Sequence, residues 1–293
     1  MTPRVILDCD TANEVDDQFA IACALGSPGD VLDVLAVISC HNTTVHGPTS
    51  RDLYQEEAER VVALCGGKVP CVPGAERPME DRRTPVWSEG LDFLVEEARK
   101  GPLTLISTGP ATDAASLVLA APEVRENVRV VWLGGFGDEE SYRRFKFGEL
   151  NGRADIAAWR ALLEAPVDLL QVPGWPGPAK VVVQAGPYAE ELRSLKRPVA
   201  DYLAEILVEW VQGYEGDLDR EGEKILWDVS CVVAVANGEA VRVESMAVPA
   251  VDVAGAHDWR APQRGRVIDT LVDLDAARVL RELREALLRL PAA

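Results

Sequence analysis

The 293-residue sequence is poor in cations and has no long uncharged apolar run. Its 30 Lys and Arg stand against 48 Asp and Glu, a formal net charge of −18, and no basic cluster is interleaved with aromatic residues. We therefore expect neither nucleic acid nor an anionic membrane surface as a partner, because clustered Lys and Arg bind both. No apolar stretch approaches the roughly 18 residues of a membrane span. The opening MTPRVILDCD does not have the pattern of a signal peptide.

The sequence also lacks paired cysteines and a phosphate-binding glycine loop. Five of its six cysteines lie in or beside apolar runs, and none forms a C-x-x-C motif. We therefore expect reduced thiols and a cytoplasmic protein. The GGFG segment at 134–137 has neither the G-x-G-x-x-G spacing nor the Lys of a P-loop. We interpret Gly134 and Gly135 as close-approach residues at the floor of a pocket.

Apolar residues make up 47% of the chain, and its first two-thirds alternates short β-branched runs with longer helical patterns. Such alternation predicts right-handed βαβ units around a parallel sheet. The predicted strands are 4–9, 31–39, 103–107, 128–133 and 167–172, and the predicted helices lie near 17–26, 50–65, 88–99, 111–120 and 153–164. The predicted fold class is α/β: a single Rossmann-like domain over 1–293 with a mostly parallel central sheet flanked by helices.

The PGWPGP segment at 173–178 is the clearest break in the chain, and an elaborated C-terminal third follows it. There the patterns predict helices over 187–213, 224–236 and 275–290, with strands over 245–254 and 265–272. In open parallel sheets ligands bind at the carboxyl ends of the strands. The segments that follow the predicted strands are therefore the candidate site.

The acidic loop, residues 8–17, places five carboxylates within ten positions directly after the first strand: Asp8, Asp10, Glu14, Asp16 and Asp17. Helix capping explains one or two of them. No Lys or Arg lies nearby in the sequence to offset the others, so a bound hard cation is indicated. Oxygen ligands suit Ca²⁺ or Mg²⁺ rather than Zn²⁺, and irregular geometry favours Ca²⁺, although spacing alone leaves the metal open.

The strand, D-x-D and D-D helix start resemble the N-terminal signature of inosine–uridine-type nucleoside hydrolases. TANEV supplies five residues between the second Asp and the D-D pair, whereas the common family form has three. Four further segments resemble the family in order: LTLISTGPATDAASLVL (103–119), VVWLGGF (130–136), GELNGRADIAAWRALLEAPVDLLQVP (148–173) and KILWDVSCVVAVA (224–236).

The resemblance implies calcium-dependent hydrolysis of the N-glycosidic bond of a ribonucleoside, giving free base and ribose, as in purine or pyrimidine salvage. It implies Ca²⁺ as cofactor, held by Asp10, Asp17, the Thr108 carbonyl and Asp228, with Asp10 accepting the proton of the attacking water. It implies that ribose hydroxyls are bound by Asp16, Asn42, Glu149 and Asn151, and that Asp8 orients Asp10. It also implies a small nucleoside as substrate and a homodimer or homotetramer.

The sequence departs from the family where the leaving base is protonated. Many family members have a His just before the late-helix Asp, and Trp227 stands there in this chain. None of His41, His46 and His257 matches that role by position. We hypothesise that Trp227 instead activates the leaving base by stacking, with Trp87 and Trp175 as further candidates. The segment DEESYRRFKFG (138–148) is interpreted as either a mobile lid or a solvated loop.

Two other functions stay open. The first is a haloacid-dehalogenase-type phosphatase, because VILDCDTA resembles the strand and D-x-D of that class, with Asp8 as nucleophile. However, Ala12 stands where that class has Thr or Val, and the segments 104–113 and 149–155 have no counterpart there. The second is a non-catalytic ribonucleoside-binding protein that kept the cation site, since the leaving-group His is missing.

Overall fold

A computed structural model describes residues 2–213 and 222–292, except for the side chains of 261–265. The strands are β1 (Arg4–Cys9), β2 (Asp33–Ser39), β3 (Cys71–Pro73), β4 (Leu103–Ser107), β5 (Val128–Leu133), β6 (Asp168–Val172), β7 (Val182–Gln184), β8 (Glu223–Ile225), β9 (Val241–Val251) and β10 (His257–Leu274). The helices are α1 (Asp16–Gly26), α2 (Thr43–His46), α3 (Ser50–Leu64), α4 (Glu89–Lys100), α5 (Thr112–Ala120), α6 (Glu139–Phe145), α7 (Asn151–Ala154), α8 (Ile156–Glu164), α9 (Ala185–Ser194), α10 (Pro198–Gly213), α11 (Val229–Ala236) and α12 (Ala276–Arg289).

Eight of these strands form one sheet in the order β3-β2-β1-β4-β5-β6-β10-β9. Every pairing is parallel except that of β10 with β9 at the edge. Strands β7 and β8 form a separate antiparallel pair. The α/β class with a mostly parallel central sheet is confirmed.

Helices cover both faces of the sheet, as the near-continuous apolar strands require. Because side chains alternate along a strand, Val5 and Leu7 of β1 join one core cluster, whereas Ile6 joins the other. The first cluster includes residues of α1, α10, α11 and α12, and the second includes residues of α4, α5 and α8. Strand β1 is therefore buried on both faces of the sheet.

In the C-terminal third, two predicted helices differ from the structure, and the two predicted strands 245–254 and 265–272 are the longer β9 and β10. The predicted helix 187–213 is two helices, because the chain turns through Lys196 at φ +53° and Pro198 begins α10. The predicted helix 224–236 begins only at Val229. Residues 224 and 225 pair instead with Val183 and Val182 of β7, a long-range contact that the local periodicity does not contain.

The 138–148 segment contains a helix, and whether it acts as a mobile lid stays a prediction. Its residues 139–145 form α6, which the side chain of Asp138 caps by accepting a hydrogen bond from the Ser141 N–H at 2.7 Å. Over the ranges that the structure describes, no helix combines the length and apolarity needed to cross a membrane.

Candidate active site

The strand order reverses direction between β1 and β4, so the helices that follow these two strands lie on opposite faces of the sheet and leave a crevice between them. Asp10 follows β1 and Thr108 follows β4. The register pairs Asp8 with Ser107, which brings the two loops side by side. The Thr108 N–H donates to the Asp8 carbonyl at 2.8 Å and continues the ladder by one step. The topology thus opens a site directly above the acidic loop.

One pocket occupies this crevice. Most of the predicted site residues line it, and they come from six separate parts of the chain. The lining residues are Asp10, Asn13, Glu14, Asp16, Asp17, Thr108, Leu133, Gly134, Gly148, Glu149, Leu150, Asn151, Gly174, Trp175, Trp227 and Asp228. Of the residues predicted to bind the metal or the ribose, Asn42 is the one that does not line it; Asp8 and Trp87 do not line it either.

Asp10 is buried and held from one side by amides. Its Oδ2 accepts hydrogen bonds from Asn42 Nδ2 at 2.7 Å and Asn13 Nδ2 at 3.0 Å. Burial raises the pKa of Asp10 to about 7, and the charge of Asp16 adds to the shift while the Asn42 hydrogen bond opposes it. Asp8, predicted to orient Asp10, accepts a hydrogen bond from Ser107 Oγ at 2.8 Å. Asn42 and Asn13 are the groups that fix Asp10.

Asp17 and Asp228 share this buried environment. Burial is the main reason that the pKa of each lies well above the ordinary value, and repulsion adds to it: from Asp10 and Asp16 for Asp17, and from Asp16, Asp17 and Asp10 for Asp228. The carboxyls of Asp10 and Asp17 are close enough that each affects the pKa of the other. Thr108 Oγ1 donates to Asp17 Oδ1 at 2.7 Å. These three acids therefore converge, although they are up to 218 positions apart in the sequence.

The donor chemistry of this cluster fits a hard divalent cation. In residues 2–213 and 222–292, no three His, Cys, Asp or Glu side chains already stand as a metal-binding cluster. The groups present are carboxyl oxygens and the Thr108 carbonyl, which are ligands of Ca²⁺ and Mg²⁺ rather than of softer metals. A bound cation would favour the ionised form of each carboxyl and remove the repulsion that now raises its pKa.

The opposite side of the pocket carries Glu149 and Asn151. Glu149 Oε1 accepts hydrogen bonds from the backbone N–H groups of Gly135 (3.1 Å) and Gly152 (2.9 Å). Asn151 Nδ2 donates to the carbonyls of Thr108 (2.7 Å) and Leu133 (2.9 Å). Both side chains are therefore fixed by backbone groups, as residues that orient a ligand must be.

Two further predictions have different outcomes. The amide of Asn42 donates to Asp10 and accepts from Thr44 Oγ1 at 2.7 Å, so its contact with a ribose hydroxyl stays a prediction. The close approach is confirmed for both glycines: a Cβ on Gly134 would lie 2.3 Å from the Trp132 ring, and one on Gly135, at φ +70°, would lie 2.2 Å from Gln171 Nε2. Gly134 lines the pocket, whereas Gly135 does not.

The structure places a buried lysine beside the acidic loop, and the sequence did not indicate it. Lys224 is fully buried, and its Nζ lies 2.6 Å from Glu14 Oε2 and 3.5 Å from Asp16 Oδ1. The acidic loop therefore has a basic neighbour 210 positions away, although none lies nearby in the sequence. Nothing in the local sequence around Lys224 predicts this contact, because it depends on the long-range pairing of β7 with β8.

Trp175 and Trp227 line one side of the pocket, and Phe145 packs against Trp175; these three rings form the aromatic wall. Phe145 stacks on Trp175 with ring centroids 4.5 Å apart, and Trp175 meets Trp227 edge-on at 4.9 Å. The backbone N–H of Trp227 donates to Asp16 Oδ2 at 3.1 Å, which connects the wall to the acidic loop. Trp87 does not line the pocket, and 66% of its surface is exposed.

None of the three histidines lines this pocket. His41 is buried and hydrogen-bonds Thr112 Oγ1 at 2.8 Å, and burial lowers its pKa to about 4. His46 bonds the Tyr54 hydroxyl at 2.8 Å. His257 lies among the rings of Phe136, Tyr142 and Trp159. Their positions agree with the sequence inference that none is the leaving-group acid.

Known proteins share both the sequence pattern and the fold. Residues 5–285 match the family model described as "Inosine-uridine preferring nucleoside hydrolase". The pyrimidine-specific ribonucleoside hydrolase RihA of Shewanella woodyi is 29% identical over 161 residues, covering 46% of this chain and 49% of that protein. The chain thus spans about half the length of the first curated relatives that it matches.

Two solved structures share the fold over nearly their whole length. One is titled "Plant nucleoside hydrolase - PpNRh1 enzyme", with a TM-score of 0.75 and 20% identity, covering 98% of this chain and 99% of that one. The other is a purine-preferring ribonucleoside hydrolase from Gardnerella vaginalis, with a TM-score of 0.74 and 19% identity, covering 97% and 98%. At these identities they establish the fold.

Proposed function

The chain belongs to the inosine-uridine preferring nucleoside hydrolase family, and on that premise we propose that it hydrolyses the N-glycosidic bond of a ribonucleoside to free base and ribose. The observation that carries the proposal is the convergence of Asp10, Asp17 and Asp228, together with Thr108, in one pocket at the point where the strand order reverses. Family membership leaves the phosphatase alternative without support.

The residues that would hold a divalent cation, with Ca²⁺ proposed, are Asp10, Asp17, Asp228 and the Thr108 carbonyl. When bound, such a cation orients ribose hydroxyls and lowers the pKa of a nearby water. Asp16, Glu149, Asn151 and Asn42 are the proposed partners of the ribose hydroxyls. Support comes from the burial and mutual repulsion of the acids, which a cation would offset.

Asp10 is proposed as the general base. Its carboxyl lies in the pocket, and hydrogen bonds from Asn42 and Asn13 to Oδ2 orient it. Asp10 accepts the proton of the attacking water while the C1′–N bond breaks. The sugar gains positive charge as that bond breaks, and the surrounding carboxylates stabilise this oxocarbenium-like transition state.

The base is proposed to stack on Trp227, which occupies the position of the family's usual His. Trp227 lines the pocket, and its backbone N–H is bonded to Asp16, so the indole is held close to the sugar-binding acids. Stacking keeps the base in place during cleavage and is worth about 1–3 kcal/mol per base.

The test is release of reducing sugar from a panel of purine and pyrimidine ribonucleosides, measured with added calcium and with a chelator. We expect sugar release that the chelator abolishes, and a loss of at least about a thousandfold in Asp10→Asn, since Asp10 serves both cation and water. Binding of nucleosides without any turnover would contradict the proposal and favour a binding protein.

A further inference from the structure

The proposed site combines a strongly negative sugar side with an aromatic base side. Six carboxylic acids line the pocket: Asp10, Glu14, Asp16, Asp17, Glu149 and Asp228. Lys224 is ion-paired with Glu14 and Asp16 behind them. No Lys or Arg is among the described residues that line the pocket itself. The pocket therefore keeps a negative field when the cation is bound.

This field affects the leaving base as well as the sugar. Breaking the C1′–N bond of a neutral nucleoside moves the bonding electron pair onto the base nitrogen, which becomes an anion unless a proton reaches it. Among the described lining residues there is no His, Tyr, Lys or Arg to supply that proton. An anion developing beside several carboxylates is destabilised by their charge.

We infer that the site favours nucleosides whose base already carries a positive charge, the class of N7-alkylated purine ribosides and quaternary pyridinium ribosides. The inference rests on the proposed function, since it concerns the same hydrolysis. A cationic base takes the electron pair of the broken bond and leaves as a neutral molecule, so it needs no acid. Water supplies the new C1′–O bond, and its proton passes to Asp10 and then to solvent.

The aromatic wall supports the same class of substrate. An indole is the strongest aromatic partner for a cation, through the negative face of its ring. The ring centroids of Trp175 and Trp227 lie 4.9 Å apart, and Phe145 stacks on one face of Trp175. The three rings therefore form a wall, with no gap between them for a base to enter. A flat cationic base stacked on Trp227 lies between this wall and the acids.

The experiment compares matched substrates that differ in one charge, such as adenosine and its N7-methylated cation. Each kcat/KM is divided by the rate of uncatalysed hydrolysis of the same nucleoside, because cationic nucleosides are intrinsically more labile. We expect the normalised value to be higher for the cation by roughly tenfold or more, the factor that about 1.4 kcal/mol supplies. Quenching of tryptophan fluorescence gives Kd values, and we expect tighter binding of the cation.

Substitutions test whether a preference for the cationic nucleoside comes from the charge of the lining acids or from the aromatic wall. Glu14→Gln removes one lining carboxylate, and we expect it to lower the cation-to-neutral ratio by roughly threefold or more. The double variant Glu14→Gln/Lys224→Met removes one charge of each sign and is expected to restore the ratio. Trp227→Leu is expected to weaken binding of the cation more than binding of the neutral partner. Thermal melting checks that each variant is folded.

The outcomes distinguish this inference from the proposed function. Hydrolysis of neutral nucleosides with an equal or higher normalised kcat/KM, and equal Kd values for the pair, would overturn the inference and leave the hydrolase assignment standing. No hydrolysis of either substrate would overturn both. A preference for the cation that Glu14→Gln leaves unchanged would show that the lining charge is not its cause.

Discussion

Gly109 follows Thr108 in the turn after β4 and lies against the proposed general base. A Cβ built on it would stand 2.5 Å from Cys40 Sγ and 3.2 Å from both the Cβ and the Cγ of Asp10. Cys40 is fully buried and Asp10 nearly so, and the close-packed surroundings leave neither room to move. The bare Cα of Gly109 is therefore part of what sets the position of Asp10.

We expect Gly109→Ala to displace the Asp10 carboxyl and lower kcat/KM by at least about tenfold, with about 1–3 kcal/mol lost from the free energy of unfolding. Gly29→Ala is the matched control, because a Cβ there meets no atom within 4 Å. Denaturant unfolding and steady-state kinetics measure both effects. Equal behaviour of the two variants would show that Gly109 does not constrain the site.

Trp227 and Trp87 offer a second comparison at the scale of single residues. Trp227 lines the pocket, whereas Trp87 lies outside it with its ring largely exposed. We expect Trp227→Leu to lower kcat/KM by roughly 5- to 100-fold, the loss that one base–indole stack represents. Trp87→Leu should leave kcat/KM within about twofold. A Trp227→Leu enzyme with full kcat/KM would remove this residue from the mechanism.

At this scale the sequence identified acids more readily than it identified their partners. Asp10 and Asp17 flank a strand end and a helix start, so local pattern alone places them near each other. Lys224 was missed because its contact with Glu14 spans 210 positions and depends on a three-residue strand. Trp175 and Phe145 illustrate the same limit, because their stacking depends on where α6 lies.

The loop between β1 and α1 is the element in which this chain has five residues where the common family form has three. The loop forms a tight turn directly after β1. In this turn the Asn13 N–H donates to the Asp10 carbonyl at 2.8 Å, and Ala12 adopts a left-handed φ of +83°. Glu14, within the inserted stretch, then reaches Lys224. The insertion is thus anchored to β8, and β8 leads directly into Trp227 and Asp228.

Because Lys224 is fully buried, we expect Lys224→Met to remove its charge from beside Glu14 and Asp16 and to cost about 3–5 kcal/mol of unfolding free energy. Lys180 makes an equally short pair with Asp273, at 2.6 Å, but its side chain is half exposed. Lys180→Met should therefore cost under about 1 kcal/mol. Denaturant titrations at neutral pH measure both, and similar losses would mean that burial of Lys224 adds nothing.

Elements with a strong local signal were predicted closely, and those that depend on distant pairing were not. The ranges 4–9, 103–107 and 128–133 coincide with β1, β4 and β5, because each is a short apolar run bounded by turn residues. Strands β3, β7 and β8 have three residues each, too few to show a period. The wrong helix over 224–228 has this cause.

For the whole molecule, burial of several acids in one pocket couples stability to pH. The pKa of Asp10 rises from 3.8 to about 7, and burial also raises the pKa values of Asp17 and Asp228. The folded state then holds protons that the unfolded chain releases. This contribution to the free energy of unfolding is complete at pH values below the pKa of these carboxyls in the unfolded chain. It is lost as the pH rises through their pKa in the folded state.

We therefore expect the melting temperature of the chelator-treated protein to fall between pH 5 and pH 8. Calcium should reverse that trend, because binding requires ionised carboxyls, so its stabilising effect should grow with pH and release protons. Asp17→Asn should flatten the pH dependence, whereas Asp30→Asn, at an exposed position, should not. A melting temperature that rises over this range without calcium would contradict the assigned pKa directions.

The predictions of a single domain over 1–293, of a homodimer or homotetramer and of a cytoplasmic location stay predictions. Each concerns a property that the fold alone does not fix. The parallel sheet and the pocket were accessible from sequence because both follow from strand alternation and from the position of polar residues at strand ends.

The central claim is that acids from the two ends of the chain hold one divalent ion. A crystal structure of the protein grown with calcium tests it most directly. We predict a single calcium peak with carboxylate oxygens of Asp10, Asp17 and Asp228 and the Thr108 carbonyl at about 2.3–2.6 Å. Calcium-soaked crystals in which these side chains point apart, with no ion between them, would contradict the account.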